Sequence, residues 1–311
     1  MPSFGATNDL IVSHVLETTM GVTPANPVMN RLRVNGETLG PNVTFDETDE
    51  INPNYDLTDL ILTGSSAGGS IPFDFAKSAA FDMVLEAVLR GTWTAGVLKA
   101  GIVRRSYSLE KSFLAGGSRK YMKFLGLRYG GITLTGSVGG KTTGTIDAMA
   151  LSAIPGTTSI VGTGSVTEPA ETRILSMVDV TVFTITGDTL PLIMTGFTLG
   201  IQNNLRMNQG HGQVAGYDIQ YGMREVTFTF DAYFESWEQM DKMLNRTNSN
   251  VSMTITDGTN TYLVRLPKLR YRNVTADAEG NNADMMQTIE GRGLIDATLA
   301  TSLQITRTPA A

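Results

Sequence analysis

Two histidines, His14 and His211, are all the imidazole this chain has, and it contains no cysteine. Neither Ser13-His14 nor Gly210-His211-Gly212 has a nucleophile or an orienting carboxylate at a recognisable spacing, so no catalytic triad can be assembled from the sequence. Without cysteine, disulfides, thiolate zinc sites and a thiol nucleophile are excluded. The segment Gly136–Thr142 (GSVGGKT) looks like a phosphate loop. Thr135, however, stands where the GxxxxGK[ST] frame needs glycine, and β-type sequence continues past Lys141 where a helix is required, so a hairpin turn is expected instead. Asp46, Glu47, Asp49, Glu50, Asp56 and Asp59 could place carboxylates around a cation. They lack the EF-hand spacing and its glycine, as does Asp277–Asn282 (DAEGNN), so both read as exposed charged loops. Arg104, Arg105, Lys111, Arg119, Lys120, Lys123 and Arg128 are interleaved with Tyr107, Phe113, Tyr121, Phe124 and Tyr129. That pattern fits either a nucleic-acid strip or two strands with aromatics inward and charges outward. No catalytic, cofactor or metal residue is assigned, no cofactor is expected, and the chain is not expected to be an enzyme.

Composition points the same way. The 311 residues carry 24 Lys+Arg against 30 Asp+Glu, a net charge of −6, which argues against a dedicated nucleic-acid binder. The first twenty residues lack a basic start followed by an apolar run, and apolar patches such as Ala79–Leu89 are interrupted by Asp82 and Glu86. A soluble protein of a reducing compartment, with no signal peptide and no membrane segment, is therefore expected.

The elements that would position any site are mostly strands: short runs of Val, Ile, Thr, Phe and Tyr punctuated by Gly and Asn. Ser70–Phe75 and Glu225–Phe234 alternate as half-buried strands do, and Arg31–Leu39 and Gly196–Asn203 read as further strands. Asn250–Thr256, Asp257-Gly258 and Thr261–Leu266 predict a hairpin with a tight primed turn, followed by another strand after a kink at Pro267. Two segments predict helices. Residues 76–90 carry Phe81, Val84, Leu85 and Val88 on a core-facing stripe, with Gly91 as C-cap. Residues 236–245 carry Trp237, Met240 and Leu244 on theirs, with Ser236 as N-cap.

Each helix follows a Phe-rich strand and precedes a Leu-Arg-Tyr, Leu127-Arg128-Tyr129 in one half and Leu269-Arg270-Tyr271 in the other. After each, the pattern is a β-run, a Gly/Asn-rich turn and another β-run. A mainly β chain of two similar sandwich or barrel domains in tandem, each with one short flanking helix, is expected. The boundaries are an N-terminal arm over 1–29 with little strand or helix pattern, a first domain over 30–150, a Gly/Ser/Thr-rich linker over 151–174, and a second domain over 175–311.

The run from Asn30 to Leu89 resembles the first domain of the major tail tube proteins of long-tailed bacteriophages: an R-x-x-G-E-x-L strand, a long acidic loop, a Gly-rich turn, a strand and a short helix. TGFTLGIQNNLRMN followed by REVTFTFDAYF is a similar cue in the second half. The resemblance spans about residues 20–295 and lies in the order of elements. It implies a virion structural protein, made in the host bacterial cytoplasm, whose sheets join those of neighbouring copies into a hollow tube. Double-stranded DNA would pass through transiently, without specific binding, and other tail proteins would meet the tube ends. A duplicated chain implies three copies in a pseudo-hexameric ring. Segments that order on contact with a partner suggest an inter-ring contact over Thr44, Phe45, Asp46, Glu47, Asp49, Glu50, Tyr55 and Leu57. The alternatives are a non-polymerising baseplate or tube-terminating component, and a carbohydrate-binding β-sandwich of a receptor-binding protein.

Overall fold

The computed structural model describes residues 4–188, 192–277 and 280–308. The chain is mainly β, with curled sheets packed as sandwich-like layers and two helices, α1 (Ala79–Leu89) and α2 (Glu238–Leu244).

The strand Ser118–Ser137 is the spine of the first half. Its first part pairs with Tyr107–Ala115 on one side and Ser152–Gly156 on the other. Its second part pairs with Thr143–Ala150, which in turn pairs with Leu60–Asp74, and that strand with Gly40–Glu47. Thr261–Asp277 plays the same part in the second half. It pairs first with Asn248–Thr256 and then with Met286–Gly293, beyond which lie Glu225–Tyr233 and Met194–Gln202.

The irregularities of the two spines coincide. In the first, the register slips between the pairs Tyr107↔Leu127 and Leu109↔Phe124, and again after Tyr129↔Ala148. In the second, it slips between Ser249↔Leu269 and Val251↔Leu266, and again after Tyr271↔Gly291. The two Leu-Arg-Tyr triplets therefore sit between matching pairs of bulges, with Leu127, Tyr129, Leu269 and Tyr271 all buried. Bulges bend a strand and re-aim it, so each spine passes from one sheet into the next at this triplet. Pro267 lies inside the first bulge of its spine, where no ladder donor is required, so the kink expected there falls within one continuous strand.

α1 starts at Ser78, whose hydroxyl accepts from the Phe81 N–H at 3.1 Å. It ends at Arg90 in the left-handed region (φ 53°) rather than at the expected Gly91. Phe81, Val84, Leu85 and Val88 are buried, with the Phe81 ring against Phe73 and Phe75. α2 departs from expectation. Trp237 is 53% and Leu244 68% exposed, Met240 is only partly buried, and the buried helical residue is Gln239. With only seven residues the helix covers little of the sheet. Trp237 precedes its first turn and packs edge-to-face with Phe234, ring centroids 4.8 Å apart. Ser236 Oγ still accepts from the Glu238 N–H at 3.4 Å.

Three further expectations are corrected. The arm over 1–29, read as having little pattern, holds two strands among its described residues: Ile11–Leu16, with β-branched Ile11, Val12 and Val15, pairs along its length with Tyr107–Ala115, and Val28–Arg31 pairs with it in turn. The segment read as a linker holds Ser152–Gly156 on the spine and Ser165–Thr167 in parallel beside Val28–Arg31. The Asp257 turn spans four residues rather than two, because Asp257 Oδ1 accepts from the N–H groups of Thr259 (2.8 Å) and Asn260 (2.6 Å). The acidic turn Asp277–Asn282 includes residues 278–279, which lie outside the described residues.

Candidate functional site

The residues first weighed for chemistry are spent on structure. His14 is buried between Tyr107, stacked at 5.3 Å, and Tyr129, whose hydroxyl shares a 2.5 Å hydrogen bond with Nδ1. Burial drives its pKa down to about 3, so the ring is neutral. His211 is exposed, and its carbonyl accepts from the Tyr217 hydroxyl at 3.1 Å. Val138–Lys141 is the turn between Ser118–Ser137 and Thr143–Ala150, with Lys141 bound to Asp74 at 2.6 Å. The basic-aromatic strip is dispersed. Lys111 holds Glu37 and the Leu39 carbonyl, Arg119 the Asp9 carbonyl, and Arg128 the Ile219 carbonyl and Asp218, while Tyr107, Phe124 and Tyr129 are buried. Among the described residues no cluster of His, Asp or Glu could hold a metal ion, and no helix is long and apolar enough to cross a membrane.

What remains are surfaces. The first is one face of the sheet. α1 packs on the spine of its half and α2 on the other, while the opposite face carries the alternate, polar residues. Cross-strand pairs mark that face: Thr135 with Thr198, Gln202 with Asp147 (2.9 Å), Thr288 with Asp231 (2.6 Å), Arg292 with Glu225 (2.6 Å) and Arg272 with Glu290 (3.5 Å). Four carboxylates meet two guanidinium groups in these pairs, and the rest are three Thr and Gln202.

The second surface is a projecting hairpin. Gly40–Glu47 pairs with Leu60–Asp74, and over residues 41–47 and 60–63 the two strands stand clear of the body with both faces exposed. The expected contact residues lie on this arm. Thr44, Phe45, Asp46 and Glu47 are on its rising strand, and Asp49, Glu50, Tyr55 and Leu57 are in its tip. Phe45, Ile51, Tyr55, Leu57, Leu60, Ile61 and Leu62 are all exposed, a concentration of apolar surface that monomeric proteins avoid. Sequence reasoning missed the hairpin itself. Gly64, Gly68 and Gly69 looked like a turn, and strands exposed on both faces carry no alternation to detect.

The third surface is a pair of strand edges, and the chain contains its own template for how they join. The spine of the first half pairs along residues 131–137 with Gly196–Gln202 of the second, so the two halves share one sheet. Walking the ladders outward from the matched bulges makes Thr133 equivalent to Thr275 and Gly200 equivalent to Gly40. Thr133 and Gly200 are partners in the internal junction. Thr275 and Gly40 each have a strand on one side only among the described residues.

A family model described as phage tail tube protein matches residues 7–293. The chain belongs to the phage tail tube protein family. No curated protein sequence matches it. As a tail tube protein it is a structural component of a virion tail, a part that assembles with its own kind, and not an enzyme. Buried histidine, dispersed basic residues and unpaired sheet edges suit that role.

Proposed function

We propose that this chain is the repeating subunit of the tube, assembled as rings of three chains that stack into a hollow conduit for DNA. The observation that carries this reading is the internal junction together with its two unpaired counterparts. A strand edge with free N–H and C=O groups is a template for another chain, and natural proteins cover such edges unless they use them. Pairing residues 39–42 of one copy with residues 273–276 of the next would repeat the junction already made within each chain, Gly40 facing Thr275 as Gly200 faces Thr133. A head-to-tail contact of this kind closes into a ring when its rotation permits. Because each chain brings two matching units, read here as a duplicated tube domain, three chains supply six units around the axis. The helices would then lie on the outer wall, and the Thr-rich acidic face would line the channel.

The absence of native cysteine makes the test clean. A Cβ at Gly40 meets nothing within 4 Å, and Thr275 is exposed, so Gly40→Cys with Thr275→Cys should fold. Oxidation should give a covalent ladder on a denaturing gel that ends at three chains. A ladder ending at six chains would refute the threefold ring, and assembled tubes that do not cross-link would refute the edge junction.

A further inference from the structure

The strand Leu60–Asp74 has the hairpin tip at one end and the base of the sheet at the other, roughly 45 Å away at about 3.3 Å per residue. At that base Asp74 pairs with Thr143, beside the turn Val138–Lys141. The turn borders an apolar recess of about 270 Å³ lined by Val138, Gly139, Met177, Val178, Val180, Phe183 and Met194. Its mouth is built by named contacts: the Val138 N–H donates to the Thr195 carbonyl at 2.9 Å, and the Met177 N–H to the Gly140 carbonyl at 3.2 Å. Val178 is 85% and Val138 68% exposed, and Ile193 is exposed nearby. Apolar side chains held in solvent around a hollow cost free energy that a partner's apolar group would recover.

The charges around the two ends are complementary. From residue 34 to residue 76 there is no Lys or Arg, while Asp46, Glu47, Asp49, Glu50, Asp56 and Asp59 surround the tip. Beside the recess, Lys141 and Arg173 are 55% and 57% exposed, and the carboxylates they hold, Asp74 and Asp179, are 13% and 7% exposed. The cations therefore face outward and their partners inward. An acidic tip carrying Ile51 and Tyr55 matches a recess flanked by these two cations, in both apolar and ionic terms.

We propose that this recess is the socket for the hairpin tip of a second copy in the adjacent ring, so that stacking is head to tail, with Ile51 and Tyr55 as the inserted groups. The proposal rests on the stacked-ring reading above and adds the receiving surface to it. Knob and socket at opposite ends of one strand make a contact that cannot close on itself along the axis, so it propagates.

Two defective chains test it. Ile51→Asp with Tyr55→Asp removes the tip, and Val138→Asp with Val178→Asp removes the socket. All four positions are exposed, and unchanged thermal melts would verify folding. Each variant alone should give single rings by electron microscopy. Mixed, the intact tips of one should enter the intact sockets of the other and give stacks of two rings and no longer. Wild-type-length tubes from the socket variant, or single rings only from the mixture, would overturn the proposal while leaving the stacked-ring reading standing. Failure of the wild-type chain to form tubes under any condition would overturn both.

Discussion

His14 shows how a residue with chemical potential becomes a folding element. Its folded pKa of about 3 lies below the 6.5 of a free imidazole, so the unfolded chain takes up a proton first as pH falls. Its contribution is complete above pH 6.5 and declines as pH drops toward 3, by up to about 1.4 kcal/mol per unit. Urea midpoints measured across that range should show this slope, and His14→Phe should flatten it. The same variant should lose about 1–3 kcal/mol at pH 8, because the buried Tyr129 hydroxyl is left without its hydrogen-bond partner. Asp82 makes the opposite case. Burial pushes its carboxyl up, against the Tyr262 hydroxyl at 2.8 Å and Arg307, which hold it down. Arg307→Met should cost about 3 kcal/mol at neutral pH by stranding that charge. The loss should shrink on acidification, and Asp82→Asn in the same chain should recover much of it. Thermal melts of the single and double variants would measure this. None of these partnerships was visible in the sequence, since His14 and Tyr129, or Asp82 and Arg307, meet only through the fold.

The elements were legible where a face is buried and obscure where none is. Periodicity located both helices, because Phe81, Val84, Leu85 and Val88 recur on one side of α1. The same logic misplaced Trp237 and Leu244, since a seven-residue helix does not bury a full stripe. Phe81→Ala should therefore cost about 3–5 kcal/mol. Trp237→Ala should cost at most about 1.5 kcal/mol, the scale of one aromatic pair, and denaturant unfolding of the two would show the difference. The arm is the reverse case. Its outer stretches, residues 41–47 and 60–63, have solvent on both sides, so no alternation marks them. Shortening Thr44–Leu57 should leave a folded protein, because that segment carries no buried residue, but one that no longer forms tubes in negative stain.

For the whole molecule, the repeat was readable from the Leu-Arg-Tyr triplets, but the junction between the halves was not. Strand edges carry no sequence signal of their own, because any backbone can pair. For the proposed channel, net charge sets a bound without saying which wall carries what. If the Thr-rich face lines the tube, its carboxylates outnumber its guanidinium groups. Duplex DNA, with about one negative charge per 1.7 Å of axis, would then be passed along rather than held. Purified tubes should bind duplex DNA no better than an acidic control protein at low salt. Tight binding that weakens steeply with added salt would put the lining on a different face.

The two halves are matched in their ladders and differ in what they extend. The first sends out the arm between Glu47 and Leu60. The corresponding connection in the second, residues 203–224, is folded back, with Arg206–Asn208 and Asp218–Gln220 paired to each other and Ser65 bound to the Val214 carbonyl. Six identical subunits would let the next layer settle at any of six orientations with equal energy. Fused pairs bearing an arm on every other unit make a keyed shaft instead, in which turning by one unit is no longer the same as turning by two. In the ring of three proposed above, each new layer would have three equivalent seatings in place of six, and a layer turned by one unit would set arms against units that have none.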